Sequence, residues 1–323
     1  MGSLSNPLPL PTSRPQLTTH LLPTLLTSIA SIAATLRTAQ TISTTKTSNT
    51  FGDAQLNVDL LAEQHIRAAL ASVPCVATAS SEEDPEEVAV YPTPSRSSPA
   101  DPAPETYTVA FDPLDGSSII APNWTVGTIL SVWDGPTAIN RDPKTHQVAA
   151  VLGVYGPRTT AIIAVRWPGQ AGVCIELGLG ETGWTVVRED VTLRSGGGTR
   201  YFAPANLRAA SEDARYMGVI EHFVKERYTL RYSGGLVPDV VHALVKGHGV
   251  YASPVTKESK AKLRRLYELC PLALVVECAG GKAVDPVDGG DVLGRVIGGC
   301  DERGGLVCGN GEEVEFVVGR LLG

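Results

Sequence analysis

The segment Phe111-Asp112-Pro113-Leu114-Asp115-Gly116-Ser117-Ser118 holds the densest chemistry in the chain. The residues before it, YTVAF, have the alternation and β-branched content of a strand, so Asp112 arrives at a strand's C-terminal end. Pro113 fixes a turn, and Asp115 returns to the same side three residues on. Gly116 permits a close backbone approach. A helical turn after it would offer free N–H groups to an anion. Two carboxylates beside such a nest suit a divalent cation that bridges to phosphate. D-x-x-D-G alone is common in acidic loops; the octapeptide after an apolar strand is far more specific.

Two further acidic groups bear on the same chemistry. Asp53 follows Gly52, Asp59 comes six residues later, and Glu82-Glu83-Asp84 closes a short apolar stretch. Read alone, Asp53 is a helix cap and Glu82 to Asp84 a solvated charge run. Buried like charges are costly unless cations neutralise them. Their presence beside the octapeptide shifts the balance toward a multi-metal site.

The elements that must position these groups follow from periodicity. Leu25, Ile29, Ile32 and Leu36 place a helix over 21–40, and Leu56, Leu60, Leu61 and Ile66 a second over 53–71. Residues 83–106 are rich in Pro, Ser and acid and read as a mobile insertion. GTILSVWDG, QVAAVLGVYG, TAIIAVRWPG and VCIELGLG continue the strand signal into a largely antiparallel sheet. Beyond residue 200 helices alternate with strands: SEDARYMGVIEHFVKERY, VPDVVHALVKG, KAKLRRLYELCPLALVVECAGG and EEVEFVVGRLL are helical, GVYASP an edge strand and GLVCG the last strand. The expected organisation is a flexible tail over 1–20, an α+β half over 21–200 that carries the candidate metal and phosphate groups, and an α/β half over 201–323.

Composition excludes several classes. With 27 basic against 34 acidic residues, net charge −7, there is no basic footprint for nucleic acid or anionic lipid. An acidic chain that handles phosphates needs local basic groups or bound cations. Six cysteines without a C-x-x-C pair argue against zinc and suit reduced thiols in the cytoplasm. No run of 18 apolar residues and no apolar signal core occur, so neither a membrane span nor a leader is expected.

FDPLDGSS, the upstream GD-x5-D and SEED resemble the lithium-sensitive, metal-dependent phosphatases, specifically the class I fructose-1,6-bisphosphatase family. The likeness continues through RYSGGLVPDV and KLRRLYELCPLALVVECAGG, over roughly residues 20–323. NTFGDAQLNVD, FDPLDGSSII, NWTVGTILSVW, YFAPANLRA and YTLRYSGGLVPDV are closer to the sedoheptulose-1,7-bisphosphatase branch; Ile119 stands where the fructose enzymes usually have asparagine.

The resemblance implies an α/β, layered αβαβα fold and Mg²⁺-dependent hydrolysis of the 1-phosphate of a sugar bisphosphate. Sedoheptulose 1,7-bisphosphate is the first expectation; a fructose-1,6-bisphosphatase or an enzyme using both sugars is the alternative. A silent sugar-phosphate sensor is the reading from another class. Two or three Mg²⁺ ions, replaceable by Mn²⁺, would be held by Asp53, Glu82, Asp112, Asp115, Glu268 and the Leu114 carbonyl. On helical spacing alone Glu268 would be a solvated partner of Arg264 or Arg265. Glu83 and Asp59 would activate the attacking water. Gly116, Ser117 and Ser118 would take the 1-phosphate. Asn206, Arg231, Tyr232 and Lys262 would grip the distal phosphate and sugar, with Arg231 reaching across a homodimer or homotetramer interface. Three departures from the family stand out. Ala209 and Ser253 replace two pocket tyrosines, which implies a wider or less polar pocket. Thr106 stands for a lysine and the pre-helix AMP segment is absent, which implies no AMP inhibition. Residues 38–48 lack the regulatory cysteine pair of the plastid enzyme.

Overall fold

The computed structural model describes residues 4, 8–11, 13–48, 54–91, 105–167, 169–194 and 198–323. Strands β1 (Thr44–Ser48) and β2 (Ala54–Leu56) form an antiparallel ribbon. The main sheet contains β3 (Val76–Ser81), β4 (Val88–Ala89), β5 (Tyr107–Asp115), β6 (Val126–Asp134), β7 (Gln147–Tyr155), β8 (Thr159–Val165), β9 (Val173–Gly180) and β10 (Gly183–Arg188). Their spatial order is β10-β9-β8-β7-β6-β5-β3-β4, antiparallel except where β3 meets β5. The second half adds β11 (Tyr201–Pro204), β12 (Thr229–Leu230), β13 (Val250–Ser253), β14 (Leu263–Arg264), β15 (Lys282–Val284), β16 (Arg303–Gly304) and β17 (Leu306–Gly309). Five of these make a sheet in the order β12-β11-β13-β17-β15, and β14 pairs with β16. β13 has partners on both sides and is therefore central, not the edge strand its sequence suggests.

The helices are α1 (Leu22–Thr38), α2 (Asn57–Leu70), the one-turn α3 (Ser117–Ile120) and α4 (Pro143–His146), then α5 (Ala214–Lys225), α6 (Leu236–Lys246), α7 (Cys270–Cys278) and α8 (Gly311–Leu322). Residues of α1 and α2 share one apolar core with one face of the main sheet. α6 and α7 fill the space between that sheet's other face and the second sheet. α5 and α8 cover the outer face of the second sheet. This is the layered αβαβα arrangement. The middle core draws on both halves of the chain, from Ala110 to Cys308, so the two halves share one body.

Several boundaries move for physical reasons. Ala54–Leu56 pairs with β1, so the second helix starts at Asn57, where Asp59 accepts the Leu56 N–H at 2.8 Å. Its buried face is Val58, Ala62, Ile66 and Leu70, while Leu61 points to solvent. The expected flexible tail packs onto the body: Leu10 is buried in the first core, and Leu17 is fully buried in a wide helical turn that feeds α1. The continuous helix Gln16–Thr38, 23 residues, is long and apolar enough to cross a membrane by length and composition alone; here its leucines sit in the core. The insertion read from residue 83 begins as structure: Val88–Ala89 extends the sheet, the Glu87 carboxylate accepts the Ala138 N–H at 2.7 Å, and the Tyr91 hydroxyl donates to the Ala71 carbonyl at 2.6 Å. Its remainder, 92–104, lies outside the described residues. The helix expected from Lys260 up to the Gly280-Gly281 pair starts at Arg265 with a π-type turn through Leu269. Pro271 has no N–H for the i−4 bond to Tyr267, which favours the wider turn there.

Two backbone details aim β5 at the interlayer space. Strand alternation would put Asp112 and Asp115 on opposite faces. Asp112 lies opposite Ile129 and Asp115 opposite Gly127, so three residue steps on β5 match two on β6. This bulge turns both carboxylates to one side. Gly127 then lets α6 come close, because a Cβ there would lie 2.5 Å from the Val237 Cβ. Gly127→Ala is expected to lift the first turn of α6 off the sheet and cost about 1–3 kcal/mol. A thermal melt against the unmodified chain checks this, and an unchanged Tm would show that the contact yields without cost.

Candidate active site

Asp112, Asp115 and Glu268 bring carboxylate oxygens within 4.8 Å of one another, and all three side chains are buried. Each comes from a feature just described: the bulge of β5 supplies the aspartates, and the π-type turn before α7 supplies Glu268. Glu268 is thus a buried member of the cluster, not a solvated helix residue.

Backbone donors hold the cluster from three sides. The Leu114 N–H donates to Asp112 Oδ1 at 3.0 Å. The first turn of α6 gives Asp115 two bonds, Leu236 N–H to Oδ1 at 3.1 Å and Val237 N–H to Oδ2 at 2.7 Å. A carboxylate at a helix N-terminus is favoured by the unpaired donors and by the helix dipole. The Arg264 N–H donates to Glu268 Oε2. The Arg264 guanidinium, itself buried, donates through Nε to Glu82 Oε1 at 3.0 Å.

These contacts do not cancel the cost of crowding. Burial, and then the charges of Glu82, Asp115 and Glu268, hold Asp112 well above the usual carboxylate range. Burial raises Asp115 to about 7 against the pull of the Val237 and Leu236 donors. Burial, and then the charge of Glu82, hold Glu268 well above the usual carboxylate range. The donor set is all oxygen, with no imidazole or thiolate in the group. Such a set fits a hard cation, of which Mg²⁺ and Mn²⁺ are examples. Among the described residues, Asp112, Asp115 and Glu268 could hold one cation, with Glu82 adjoining Asp112 electrostatically.

A second pair flanks the cluster. Glu83 accepts from Gln55 Nε2 at 2.5 Å, and burial lifts it to about 7. Asp59 uses Oδ2 for the Leu56 N–H, whereas its buried Oδ1 has no hydrogen-bond partner; burial lifts this group to about 6. The charges of Asp59 and Glu82 act on Glu83, so these three carboxylates adjoin. Asp53 lies outside the described residues.

Two family models cover almost the whole chain: the fructose-1-6-bisphosphatase N-terminal domain matches residues 10–187 and the C-terminal domain residues 197–320. The chain belongs to the fructose-1,6-bisphosphatase family. It is 39% identical over 267 residues to the chloroplastic sedoheptulose-1,7-bisphosphatase of Spinacia oleracea, a match covering 82% of this chain and 64% of that relative's length. It is 35% identical over 275 residues to a class 1 fructose-1,6-bisphosphatase of Syntrophotalea carbinolica, covering 83% of this chain and 78% of that one. A solved structure assigned as a sedoheptulose-1,7 bisphosphatase of Toxoplasma gondii superposes with TM-score 0.82 at 32% identity, over 97% of this chain and 99% of that one.

The remaining residues named from the family pattern fall into two places. Gly116, at φ +99°, starts the short helix α3, on which Ser117 and Ser118 are exposed. The side chain of Leu114 is buried in the first core. Asn206, at φ +50°, donates to the carbonyls of Pro254 at 2.8 Å and Ser259 at 3.4 Å. Arg231, Tyr232 and Lys262 are exposed; Arg231 lies over the Tyr201 ring at 5.8 Å, and no carboxylate among the described residues pairs with it. Ala209 corrects the pocket reading. It is fully buried in the outer core with Tyr216 and Phe202, so its methyl group widens no surface pocket. Ser253 is half-buried at the end of β13.

Gln55, Arg264 and the first turn of α6 escaped the sequence reading. Nothing in their types marks them, since each acts through a tertiary contact. The one available signal was Arg264 standing four residues before Glu268.

Glu268→Gln keeps an acceptor for the Arg264 N–H and removes one of the crowded charges. In EDTA it is expected to raise Tm by roughly 2–4 °C, about 1 kcal/mol, and to abolish most of the Tm gain from added Mn²⁺. A drop in Tm in EDTA would mean that the three carboxylates do not repel as placed.

Proposed function

We propose that this chain is a divalent-metal-dependent sugar bisphosphatase that hydrolyses a 1-phosphate, with sedoheptulose 1,7-bisphosphate as preferred substrate. The observation that carries the reaction class is the buried trio Asp112, Asp115 and Glu268 beside the exposed hydroxyls of Ser117 and Ser118. The sugar preference rests on higher identity to sedoheptulose enzymes, 39–40% in three plant and algal relatives against 33–36% in bacterial fructose enzymes. The second reading, hydrolysis of fructose 1,6-bisphosphate, is favoured by the greater share of those bacterial relatives that the chain covers.

Asp112, Asp115 and Glu268 would hold one cation, Glu82 with Asp112 and the Leu114 carbonyl a second, and Asp53 with Glu82 a third, weaker one. When bound, Mg²⁺ or Mn²⁺ would neutralise these carboxylates and draw electron density from the phosphoryl oxygens. The hydroxyls of Ser117 and Ser118 orient the phosphate at the Gly116 turn. Glu83 Oε1 and Asp59 Oδ1 remain for the attacking water, because Gln55 occupies Glu83 Oε2 and the Leu56 N–H occupies Asp59 Oδ2. A proton leaves the water for this pair as its oxygen attacks phosphorus in line. The bond to the sugar oxygen breaks, and that oxygen takes up a proton to become the hydroxyl of the product. Burial of Glu83 and Asp59 favours their proton acceptance, since it disfavours their charged forms. Asn206, Tyr232 and Lys262 grip the distal end. Arg231, exposed and without a carboxylate partner among the described residues, reaches that end from a neighbouring copy.

The direct test is phosphate release from both sugar bisphosphates with Mg²⁺, compared by kcat/KM. A strong preference for the seven-carbon sugar supports the reading; equal or reversed preference demotes it to a general sugar bisphosphatase, and no release in Mg²⁺ or Mn²⁺ refutes it. Asp112→Ala should lower kcat by about 10²–10³-fold. Arg231→Ala should raise KM about tenfold with little change in kcat, as expected for a charged hydrogen bond to a non-reacting phosphate. An unchanged KM would count against that role.

A further inference from the structure

We infer that Arg67, on the helix behind the acid cluster, is a positioning residue for the Glu82–Glu83 turn; this rests on the phosphatase reading above. The turn Ser81–Asp84 carries both carboxylates, and α2 holds it at both ends. At its start, Ser81 Oγ donates to Glu63 Oε1 at 2.7 Å. At its end, Arg67 Nη2 donates to Asp84 Oδ2 at 3.0 Å. Arg67 Nε donates to the same Glu63 Oε1 at 2.7 Å, so one planar guanidinium joins the two anchors. The turn is closed internally by Ser81 N–H to the Asp84 carbonyl at 3.0 Å and Asp84 N–H to Ser81 Oγ at 2.9 Å. The Glu82 N–H donates to the Phe111 carbonyl at 3.0 Å, and the Arg67 guanidinium lies 5.7 Å from the Phe111 ring centre. Phe111 immediately precedes Asp112. Arg67 thus fixes the turn against α2 and against the strand that presents the aspartates, and none of its described contacts is with a cluster carboxylate.

The geometry requires arginine. A forked, planar cation can serve Glu63 and Asp84 together, whereas a single ammonium cannot span both in a fixed plane. Glu63 is buried and Arg67 only partly exposed, so the pair is better shielded than an ordinary surface ion pair. Small displacements of a group that must meet a water and a phosphorus atom at once are costly in rate.

The test compares the unmodified chain with Arg67→Ala, Ser81→Ala and the double variant, in full-length protein. Each single change should lower kcat about tenfold with KM within about twofold, because the distal end is untouched. The double variant should be no slower than about the worse single, since both cut one clamp. Mn²⁺ binding, followed by loss of the free-ion EPR signal, should weaken about tenfold in each. Arg67→Lys should fall between Arg67→Ala and the unmodified chain. Lower Tm with kcat, KM and Mn²⁺ affinity unchanged would overturn the proposal, as would losses that multiply in the double variant. If Arg67→Ala fails to fold, Asp84→Ala cuts the exposed arm alone and should give a smaller loss in kcat and Mn²⁺ affinity; no loss in either overturns the proposal. If the unmodified chain releases no phosphate from either sugar, the phosphatase reading fails. The Mn²⁺ titration then decides the clamp by itself: weakening supports it and equal affinity overturns it.

Discussion

Three carboxylates confined within 4.8 Å in the space between two sheets repel one another, and the surrounding architecture answers that repulsion. The bulge of β5 brings Asp112 and Asp115 to one face. The bare Gly127 lets α6 descend until its first two N–H groups reach Asp115. The π-type turn before α7 swings Glu268 inward, and buried Arg264 donates its backbone N–H to Glu268 and its guanidinium to Glu82. Each device adds donors or charge of the right sign, yet burial still keeps all three carboxylates above their ordinary range. The remaining imbalance is what a divalent cation would remove.

The same logic separates the two groups of acids. Asp112, Asp115 and Glu268 share one crowded, fully buried space. Glu83 and Asp59 stand beside it, each with one oxygen engaged by a neutral amide donor. A neutral donor orients a carboxylate without supplying the charge that would suppress proton uptake. That difference suits the first group to cations and the second to a proton. Gln55 and the Leu56 N–H come from the short strand ahead of α2, so the ribbon β1–β2, small as it is, sets the second group's geometry.

Much of this arrangement is legible in the sequence. The octapeptide, the two helices ahead of it and the antiparallel run after it left local signals, period-2 or period-3.6 patterning and turn residues, whereas the layered fold followed from the family resemblance. The failures share a cause. The side of the strand that Asp115 faces depends on a register shift against β6, which neighbouring residues do not encode. Glu268 looks solvated on a helical wheel because the wheel assumes an α-helix where the chain forms a wider turn. Leu17 falls within the expected tail because the prolines around it hide the helical period. Ala209 is expected at a pocket but lies fully buried in the outer core. Gln55, Arg67 and Arg264 gain their roles from partners 17 to 182 residues away.

The most direct check of this account is anomalous diffraction from crystals soaked in Mn²⁺, recorded at the manganese edge. The expected result is an anomalous peak bounded by Asp112, Asp115 and Glu268, with any second peak on the Glu82 side. Manganese bound elsewhere, with the three carboxylates hydrogen-bonded to one another and no peak between them, would contradict it.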